Sequence, residues 1–289
     1  MPRTYHLIVN TLAGAYTAER GEYLVRNLEG AGAVTVHTVT KPGEATRSAN
    51  RICAQEEQPF IIVCGGDGTI NGVINGLTFG KATLAVAPLG TANILARELG
   101  IVSLDDALAR ITVGATRSPV VGLLQAERKK QYFLLMAGVG FDGFICESVR
   151  PAEKSLLGRG AYLLAALRRL AAWERERLEI YVDEMRIDCH SVVVCNAARY
   201  GGRGVLAPGA DIFSPEFEVI CVKDDRRRSY LRLILNTLAG RYPDTQDVRR
   251  FATAKLVVSG KKAVQADGDY IGYSPVRISC VEQLFKLIV

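Results

Sequence analysis

A glycine-rich turn with one carboxylate, GGDGT at residues 65–69, is the stretch of the sequence best suited to chemistry. It lies between a continuous apolar run, FIIVC (60–64), and a segment that is expected to be helical from about Ile70. Its three glycines let backbone N–H groups turn toward an anion, and the start of the following helix adds positive potential. The turn is therefore predicted to hold a phosphate group without the help of a lysine.

Asp67, in the middle of this turn, has more than one interpretation. It could orient a hydrogen-bond donor, or engage a divalent cation that bridges phosphate oxygens. In the alternative, the turn is only a tight connection and Asp67 caps the helix. A second junction, APLGTANILARELG (87–100), places Thr91 and Asn93 either as helix caps or in the crevice where adjacent strand ends meet. Two such junctions together favour a ligand site.

Other glycine patterns are less informative. GVGFDG (138–143) satisfies G-x-G-x-x-G, but a dinucleotide site also needs a helix directly after it and an acidic residue about 20 residues on. That downstream window is LGRGAYLLAALRR, which has no acidic residue. The P-loop string G-x-x-x-x-G-K-[ST] does not occur. The sequence therefore disfavours a conventional dinucleotide fingerprint and excludes an ordinary P-loop.

The elements that must position these turns alternate regularly over the first hundred residues. Strand-like segments occur at 4–10, 33–39, 60–64 and 83–87, and helix-length segments at about 17–29, 43–56, 69–79 and 92–99. This order predicts a parallel sheet covered by helices, in which the carboxyl ends of adjacent strands meet at one edge.

The pattern changes at about residue 115 to closely spaced strand candidates, which favour an antiparallel sheet. Three pairs have hairpin-like spacing: VVGLLQA with QYFLLMA, LEIYV with RIDC, and KLVV with AVQAD. Helices are predicted at roughly 155–175 and 228–239, the second from its stripe of Leu231, Ile234, Leu235 and Leu238. We therefore predict an α/β domain over 1–115 and a β-rich domain over 116–281, with residues 282–289 able to return to the first.

Composition limits the class of protein. The 289 residues, 48% of them hydrophobic, suffice for two cores, and the longest apolar runs are too short to cross a bilayer. Seven scattered cysteines without a CxxC pair indicate core residues in a reducing cytosol, and the three histidines look isolated. A net charge of +6 suggests an anionic partner without choosing among nucleic acid, nucleotide and anionic lipid. We expect a soluble, cytoplasmic chain.

The motifs, taken in order, resemble one family. GGDGTIN and PLGTAN, together with the N-terminal IVNTLAG, are similar to the diacylglycerol kinase catalytic-domain family of bacterial lipid kinases, relatives of sphingosine kinases and more distantly of NAD kinases. The resemblance continues through GVGFDGFICESV (138–149), KSLLGRGAYLLAALRRL (154–170), NAARYGGRGVLAPGA (196–210) and VQADGDYIG (264–272). It thus spans almost the whole chain.

This resemblance implies an N-terminal Rossmann-like α/β domain and a C-terminal antiparallel β-sandwich domain, with the active site in the cleft between them. It implies ATP and Mg²⁺ as cofactors. The positions that would surround the nucleotide are Asn10, Thr40, Gly65, Gly66, Asp67, Gly68, Thr69, Ile70, Asn71, Thr91 and Asn93.

The resemblance also implies where catalysis takes place. The family carries a D-G-E/D turn late in the chain, here Asp267-Gly268-Asp269. Either carboxylate could accept the proton of the attacking hydroxyl; we expect Asp269 to do so, with Asp267 orienting it or binding metal. The alternative for this string is a plain hairpin turn.

Several positions depart from the family pattern. The structural magnesium site of the family would involve Asp211, Ser214 and Glu216, but Ser214-Pro215 replaces Asp-Gly. Because hard cations prefer carboxylate oxygens, this site is expected to be weakened. Gly72 and Ile94 stand where the family has acidic residues, and Thr11 replaces a proline. These changes leave the main-chain phosphate cradle untouched.

The leading hypothesis is an ATP-dependent kinase of a hydroxyl on diacylglycerol or a related membrane lipid. The alternatives are a kinase of a soluble hydroxyl compound such as NAD, and a nucleotide- or lipid-binding protein with weak catalysis. We expect peripheral contact with the inner face of the membrane and no nucleic-acid partner, and leave homodimer formation open.

Two segments are candidates for that membrane contact. In the stretch 224–241, Arg228 and Arg232 lie opposite the leucine stripe, and residues 155–177 could cover an acyl-chain cleft. Either segment could instead simply pack on the protein surface.

Overall fold

The structure, a computed structural model, describes residues 3–127, 129–150, 153, 158, 160–202, 204–239 and 247–289. The predicted helix at 155–175 and the basic stretch 224–241 lie partly outside these residues. The chain divides into two compact units, the first up to Val120 together with Glu282–Val289, and the second Val121–Val281.

The first unit is built on a sheet whose four leading strands run parallel. These strands are β1 (Thr4–Asn10), β2 (Ala33–Val39), β3 (Phe60–Gly65) and β4 (Thr83–Pro88), and β5 (Thr116–Arg117) and β20 (Lys286–Ile288) complete the sheet. The order is β2-β1-β3-β4-β20-β5, with β20 parallel to β4 and antiparallel to β5. Every residue of β3 is buried, as expected for a strand covered on both faces. The predicted parallel sheet is confirmed.

Five helices connect these strands. They are α1 (Ala18–Glu29), α2 (Glu44–Gln55), α3 (Asp67–Ile74), α4 (Ile94–Glu98) and α5 (Leu104–Val113). The prediction that the third helix extends to residue 79 is wrong, because Asn75 caps it and the chain turns there. Helix α5 was not predicted, although the Ser103 side chain accepts a hydrogen bond from Asp106 N–H at its start and left-handed Gly114 ends it.

The second unit consists mainly of two six-stranded antiparallel sheets. Their orders are β10-β9-β16-β19-β6-β7 and β15-β14-β11-β8-β17-β18. The strands of the first sheet are β6 (Val121–Gln125), β7 (Lys130–Phe133), β9 (Leu178–Val182), β10 (Met185–Cys189), β16 (Lys255–Ser259) and β19 (Val276–Val281). Those of the second are β8 (Met136–Val139), β11 (Ser191–Cys195), β14 (Phe217–Val222), β15 (Val248–Thr253), β17 (Ala263–Ala266) and β18 (Asp269–Tyr273).

Apolar side chains from both sheets share one buried cluster, which includes Phe133 and Ile180 from one and Val194 and Phe217 from the other. The predicted β-sandwich is therefore confirmed. A short ribbon, β12 (Arg199–Tyr200) with β13 (Gly204–Val205), lies outside the sheets.

Two of the three predicted hairpins need correction. LEIYV and RIDC do pair, as β9 and β10. QYFLLMA is instead broken into β7 and β8, which belong to different sheets, so that only its first part pairs with β6. KLVV and AVQAD, as β16 and β17, also belong to different sheets. Alternating apolar residues identify strands, but they do not show which sheet of a sandwich receives them.

Among the described residues of this unit, the helices with defined bounds are α6 (Phe141–Ser148), α7 (Gly160–Ala171) and α8 (Arg227–Leu238). They share a second apolar cluster, to which they contribute Ile145, Ala165 and Tyr230 respectively. The helix predicted at 228–239 is confirmed as α8; Tyr230 and Thr237 are buried on it, whereas Leu231 and Leu235 of the stripe are exposed. Arg228 and Arg232 each precede one of these leucines by three residues, so they lie beside the stripe and not opposite it. Across the described ranges, no helix has the length and apolar character needed to span a bilayer.

The histidines are less isolated than the sequence suggests. His6 Nδ1 lies 3.1 Å from His37 Nε2 on the neighbouring strand, and His6 Nε2 lies 2.7 Å from Glu56 Oε1. The described residues nevertheless contain no group of three or more His, Cys, Asp or Glu side chains placed to hold a metal ion.

Candidate functional site

Most of the predicted nucleotide-binding residues lie at one edge of the first unit's sheet. Asn10 ends β1, Thr40 follows β2, and GGDGT follows β3. Asn10 Nδ2 donates to Thr69 Oγ1 over 3.0 Å, and Asn10 Oδ1 accepts from Leu12 N–H over 3.0 Å. Asn10 thus ties the loop after β1 to the glycine turn after β3.

The two glycine loops touch each other. A Cβ atom on Gly90 would lie 2.3 Å from the Cα of Gly66, and one on Gly66 would lie 3.0 Å from the Cα of Gly90. Leu89 N–H also donates to the carbonyl oxygen of Gly65 over 3.1 Å. Because a side chain at Gly90 would overlap the opposite backbone, this close approach depends on glycine.

Asp67 joins the two loops through its carboxylate. Oδ2 accepts from Ile94 N–H and Oδ1 accepts from Leu95 N–H, each over 3.0 Å. Asp67 therefore caps α4, the helix after the second loop, whereas its own helix α3 begins at Gly66 without a side-chain cap. Of the interpretations left open by the sequence, the structure shows a carboxylate that holds backbone donors, in a neighbouring helix and not in its own.

Asn93 closes the second loop on itself. Its backbone is left-handed, with φ of 48°, and its amide side chain pairs with Gly90. Asn93 Oδ1 accepts from Gly90 N–H and Nδ2 donates to Gly90 O, both over 2.9 Å. Thr91, between them, is exposed, as is Gly68 in the first loop. The two loops thus present exposed positions on a rigid backbone frame.

The remaining predicted residues have other surroundings. Ile70 and Asn71 are buried within α3, so they shape the turn from behind. The backbone N–H groups of Thr40 and Lys41 donate to Glu44 Oε2 over 2.7 and 2.9 Å, which caps α2 and lowers the pKa of the Glu44 carboxyl. Thr40 therefore contributes to the start of α2.

Gly72, which replaces a family carboxylate, serves helix packing. A Cβ atom there would lie 3.1 Å from the Cβ of Ala45 on α2, and Thr46 Oγ1 donates to the Gly72 carbonyl over 2.8 Å. A Cβ atom on Gly76 would lie 2.2 Å from the carbonyl oxygen of Thr46. The missing carboxylate therefore coincides with an unusually close contact between α2 and the chain around α3.

In the second unit, Asp267 and Gly268 form the two-residue turn between β17 and β18. Both have positive φ, 48° and 85°, as a tight hairpin of this kind requires. The Asp267 carboxylate accepts three backbone hydrogen bonds, from Leu134 N–H (2.7 Å), Leu135 N–H (2.9 Å) and Met136 N–H (2.9 Å). It thus anchors the turn to the segment that links the two sheets.

Asp269, the first residue of β18, is exposed. The two carboxylates of the DGD string therefore differ in their surroundings, although both flank Gly268. The Asp267 carboxylate accepts three backbone hydrogen bonds, whereas the Asp269 side chain lies at an exposed position on β18.

The residues expected at the structural magnesium site form a turn held by its own side chains. Asp211 Oδ1 accepts from Phe213 N–H over 3.0 Å, and Ser214 Oγ accepts from Glu216 N–H over 3.3 Å. Asp211 and Glu216 are exposed. With a hydroxyl in place of a carboxylate and two oxygens directed at backbone amides, this donor set does not fit Mg²⁺, and no step is assigned to a metal here.

The GVGFDG string serves the docking of α6. Gly140 has φ of 99°, and a Cβ atom on Gly143 would lie 2.0 Å from the carbonyl oxygen of Ala263 on β17. Asp142 packs over Gly138, where a Cβ atom would lie 2.2 Å from Asp142 Oδ2. The glycines thus allow a helix to rest directly on the sheet.

Asp142 is a residue that sequence reasoning missed. It is buried, and its oxygens accept from Tyr200 Oη and, over 2.5 Å, from Gln265 Nε2. Burial raises the pKa of Asp142, and the two hydrogen bonds partly oppose that rise. The signals in the sequence are its place in the GVGFDG string and an acidic residue inside an apolar run.

Comparison with known proteins agrees with this fold. Residues 4–124 match the family described as diacylglycerol kinase catalytic domain, and residues 136–289 match the YegS C-terminal NAD kinase beta sandwich-like domain. The chain is 32% identical over 263 residues to the diacylglycerol kinase of Bacillus subtilis, covering 87% of this chain and 84% of that protein.

Two solved structures share the fold. A diacylglycerol kinase from Bacillus anthracis has a TM-score of 0.75 at 21% identity, over 99% of this chain and 96% of that chain. An NAD kinase from Archaeoglobus fulgidus in complex with ATP has a TM-score of 0.56 at 15% identity, over 99% and 93%. These two likenesses show the fold, a parallel α/β unit followed by an antiparallel sandwich. The family match and the 32% identical relative define the class, the kinases among the phosphotransferases. Within that class, the chain belongs to the diacylglycerol kinase catalytic-domain family of lipid kinases.

Proposed function

We propose that the protein transfers the γ-phosphoryl group of MgATP to a hydroxyl of diacylglycerol or a related membrane glycerolipid. The observation that carries this proposal is the pair of glycine loops, residues 65–69 and 90–93, which Asp67 joins by capping α4. Membership of a lipid kinase family, and 32% identity to a diacylglycerol kinase, support the choice of acceptor.

The loop pair has the properties of a phosphate cradle. Helix α3 starts at Gly66 without a side-chain cap, so its first N–H groups and its dipole can face an anion. The negative charge of Asp67 is offset by two backbone donors at the start of α4. The same fold holds ATP in the A. fulgidus NAD kinase, which supports ATP as the phosphoryl donor.

The reaction needs little beyond positioning and a proton acceptor. The lipid hydroxyl oxygen attacks the γ-phosphorus in line, an O–P bond forms, and the bond to the bridging oxygen breaks to release ADP. Asp269 accepts the hydroxyl proton, while Asp267 holds the turn through its three backbone hydrogen bonds. Mg²⁺ enters bound to ATP, as part of the substrate.

A lipid acceptor also requires contact with a bilayer, and two helices of the second unit support it. On α8, Leu231 and Leu235 are 46% and 56% exposed, beside the exposed Arg228 and Arg232. Residues 226–239 contain no acidic side chain. We propose that this face of α8 docks on an anionic membrane, where each arginine contributes about 1 kcal/mol and the leucines enter the interface.

Helix α7 carries a similar pair of exposed leucines. Leu163 and Leu167 are 51% and 54% exposed, and α7 and α8 pack on the same apolar cluster. In the described part of this unit, all the exposed leucines lie on these two helices. This concentration supports a common docking surface.

Labelled phosphate transfer followed by thin-layer separation tests the function. With γ-labelled ATP, we expect label in diacylglycerol presented in mixed micelles or in a total lipid extract, and none in NAD without detergent. Transfer to NAD alone would replace the lipid by a soluble acceptor. Transfer to no acceptor of a broad panel, with lipid or nucleotide still bound, would replace the kinase by a binding protein.

The docking surface has its own test. The double variant Leu231→Ser, Leu235→Ser should raise the apparent KM for diacylglycerol in anionic vesicles but leave kcat on a short-chain, water-soluble diacylglycerol unchanged. Met185→Ser, at an exposed apolar residue of β10, is the matched control. Equal KM values for the double variant and the wild type on vesicles would remove α8 from the membrane contact.

A further inference from the structure

A buried polar chain leads from Tyr200 through Asp142 and Gln265 to the DGD turn. Tyr200 Oη and Gln265 Nε2 both donate to the Asp142 carboxylate. The other end of the Gln265 side chain, Oε1, accepts from Gly268 N–H over 2.8 Å. Asp142 and Gln265 are both buried. The chain therefore connects the start of α6 to the amide in the middle of the turn.

The groups at the two ends of this series of hydrogen bonds determine which atom donates in each bond. Gly268 N–H can only donate, so Gln265 must present its carbonyl oxygen to the turn and its NH₂ group to Asp142. Asp142 must then accept. The Asp142 carboxylate, which accepts, and the Gly268 N–H, which donates, therefore require the same orientation of the Gln265 amide.

Stability alone does not account for this arrangement. The contacts to the Asp142 carboxylate come from two neutral donors, and a buried carboxylate with only neutral partners is usually less favourable than an apolar residue of similar size. Burial indeed raises the pKa of Asp142. Asp142 is thus unfavourable for folding, and it is connected through Gln265 to the turn before Asp269. A role in placing that turn explains it better.

The backbone ladder holds the start of β18 by few pairs. The register between β17 and β18 shifts between Val264 and Gln265, so that only Gln265–Tyr270 and Ala266–Asp269 pair between this irregularity and the turn. The Gln265 side chain adds a further contact on the turn side, because it accepts from the Gly268 amide.

We propose that Asp142 is a positioning residue which, through Gln265, fixes the Asp267-Gly268 turn and so places Asp269 for proton transfer. This inference rests on the proposed function and deepens it. Asp267 anchors one side of the turn to residues 134–136, and Gln265 anchors the Gly268 amide on the other.

The variant Gln265→Glu tests this series of hydrogen bonds, because the protonation of its new carboxyl group changes with pH. A glutamate can still accept from Gly268 N–H, but its second oxygen would face the Asp142 carboxylate. At low pH the shared proton restores a donor to Asp142, and at higher pH the two buried carboxylates repel each other. We expect kcat of this variant to approach that of the wild type at the acidic end and to fall at least about tenfold relative to it as the pH rises. The Kd for ATP should match the wild type throughout.

Gln265→Met removes both hydrogen bonds at nearly constant volume and should lower kcat at every pH. Thr253→Val is the control: Thr253 is also buried and polar, and donates to Lys255 O, but it lies on β15 away from the turn. It should lower Tm without changing kcat or the pH profile. If Asp142→Asn does not fold, Tyr200→Phe removes a single donor and provides the milder variant.

Hydrogen exchange gives a readout that needs no activity. Amides of residues 264–271 should exchange at least about fivefold faster in Gln265→Met and in Asp142→Asn or Tyr200→Phe, but not in Thr253→Val. Unchanged exchange, or a Gln265→Glu pH profile parallel to the wild type, would overturn the inference. If the wild type phosphorylates no lipid, the proposed function fails, while the exchange data still decide whether Asp142 controls the turn.

Discussion

Because the Asp67 carboxylate joins the two glycine loops, we expect its substitution to destabilise the first unit. Asp67→Ala removes the acceptors of the Ile94 and Leu95 N–H groups, both now at 3.0 Å, and leaves the first turn of α4 without a cap. Hydrogen bonds to a charged group contribute about 1.5–3 kcal/mol each, and the loss of a cap typically costs about 1 kcal/mol. Because Asp67 is half-buried, water replaces part of what is lost. We therefore expect the unfolding free energy of the first unit to fall by about 2–3 kcal/mol.

A domain of this size loses roughly 3–5 °C in Tm per kcal/mol, so Asp67→Ala should lower Tm by about 10 °C. Asp67→Asn retains one acceptor and should lose about half as much. Scanning calorimetry without ligand measures both. Glu57→Ala, at an exposed acidic residue of the same unit, is the control and should stay within about 1 °C of the wild type.

A Tm of Asp67→Ala within about 2 °C of the wild type would contradict the capping role of Asp67. If Asp67→Asn keeps the wild-type Tm but needs more Mg²⁺ to bind ATP, Asp67 is instead a cation ligand.

Other substitutions test neighbouring features. Gly90→Ala places a Cβ 2.3 Å from the Gly66 Cα and should destabilise by about 1–3 kcal/mol in urea unfolding, whereas Gly68→Ala, whose Cβ meets no atom within 4 Å, should not. Gly72→Glu, which restores the family's acidic residue, should lower Tm by a few degrees because its Cβ would press on Ala45; an unchanged Tm would show that α2 moves aside freely. Burial, and to a lesser extent Lys262, lower the pKa of His190 from 6.5 to about 4, while its ring contacts Tyr230 Oη and Glu174 O. The unfolded chain then binds the proton first, so the unfolding free energy should fall as pH drops from about 6.5 to 4, and His190→Gln should flatten that slope in urea titrations at several pH values.

Much of the first unit could be predicted from sequence because its strands are unambiguous. FIIVC and TLAVA are short apolar runs without polar interruption, and each appears as a strand within one residue of the expected ends. Helix α5 was missed although its capping signals were present at Ser103 and Gly114.

Sheet partners in the second unit could not be predicted in the same way. The run FLLMA carries no sign that the chain leaves one sheet at Phe133 and enters the other at Met136. That crossing becomes visible only when Asp267, more than a hundred residues later, is seen to bind the backbone between the two strands. The exposed Leu231 and Leu235 similarly depend on which side of α8 meets the sandwich.

For the candidate site, sequence motifs located the residues but did not predict their contacts. Asp67 was expected to act within its own turn, yet it caps a helix that begins at Ile94. Asp142 belongs to the GVGFDG string, but only its burial against Tyr200 and Gln265 distinguishes it from a surface acid. Contacts between segments distant in the chain decide both roles.

Phosphoryl transfer by the wild type and Asp269→Asn, measured side by side, tests the account most directly. With γ-labelled ATP, Mg²⁺ and diacylglycerol in mixed micelles, the wild type should produce labelled phosphorylated diacylglycerol. Asp269→Asn should lower kcat by at least about a hundredfold while its Kd for ATP and its Tm remain those of the wild type. Full activity in Asp269→Asn, or no transfer to any lipid by the wild type, would contradict it.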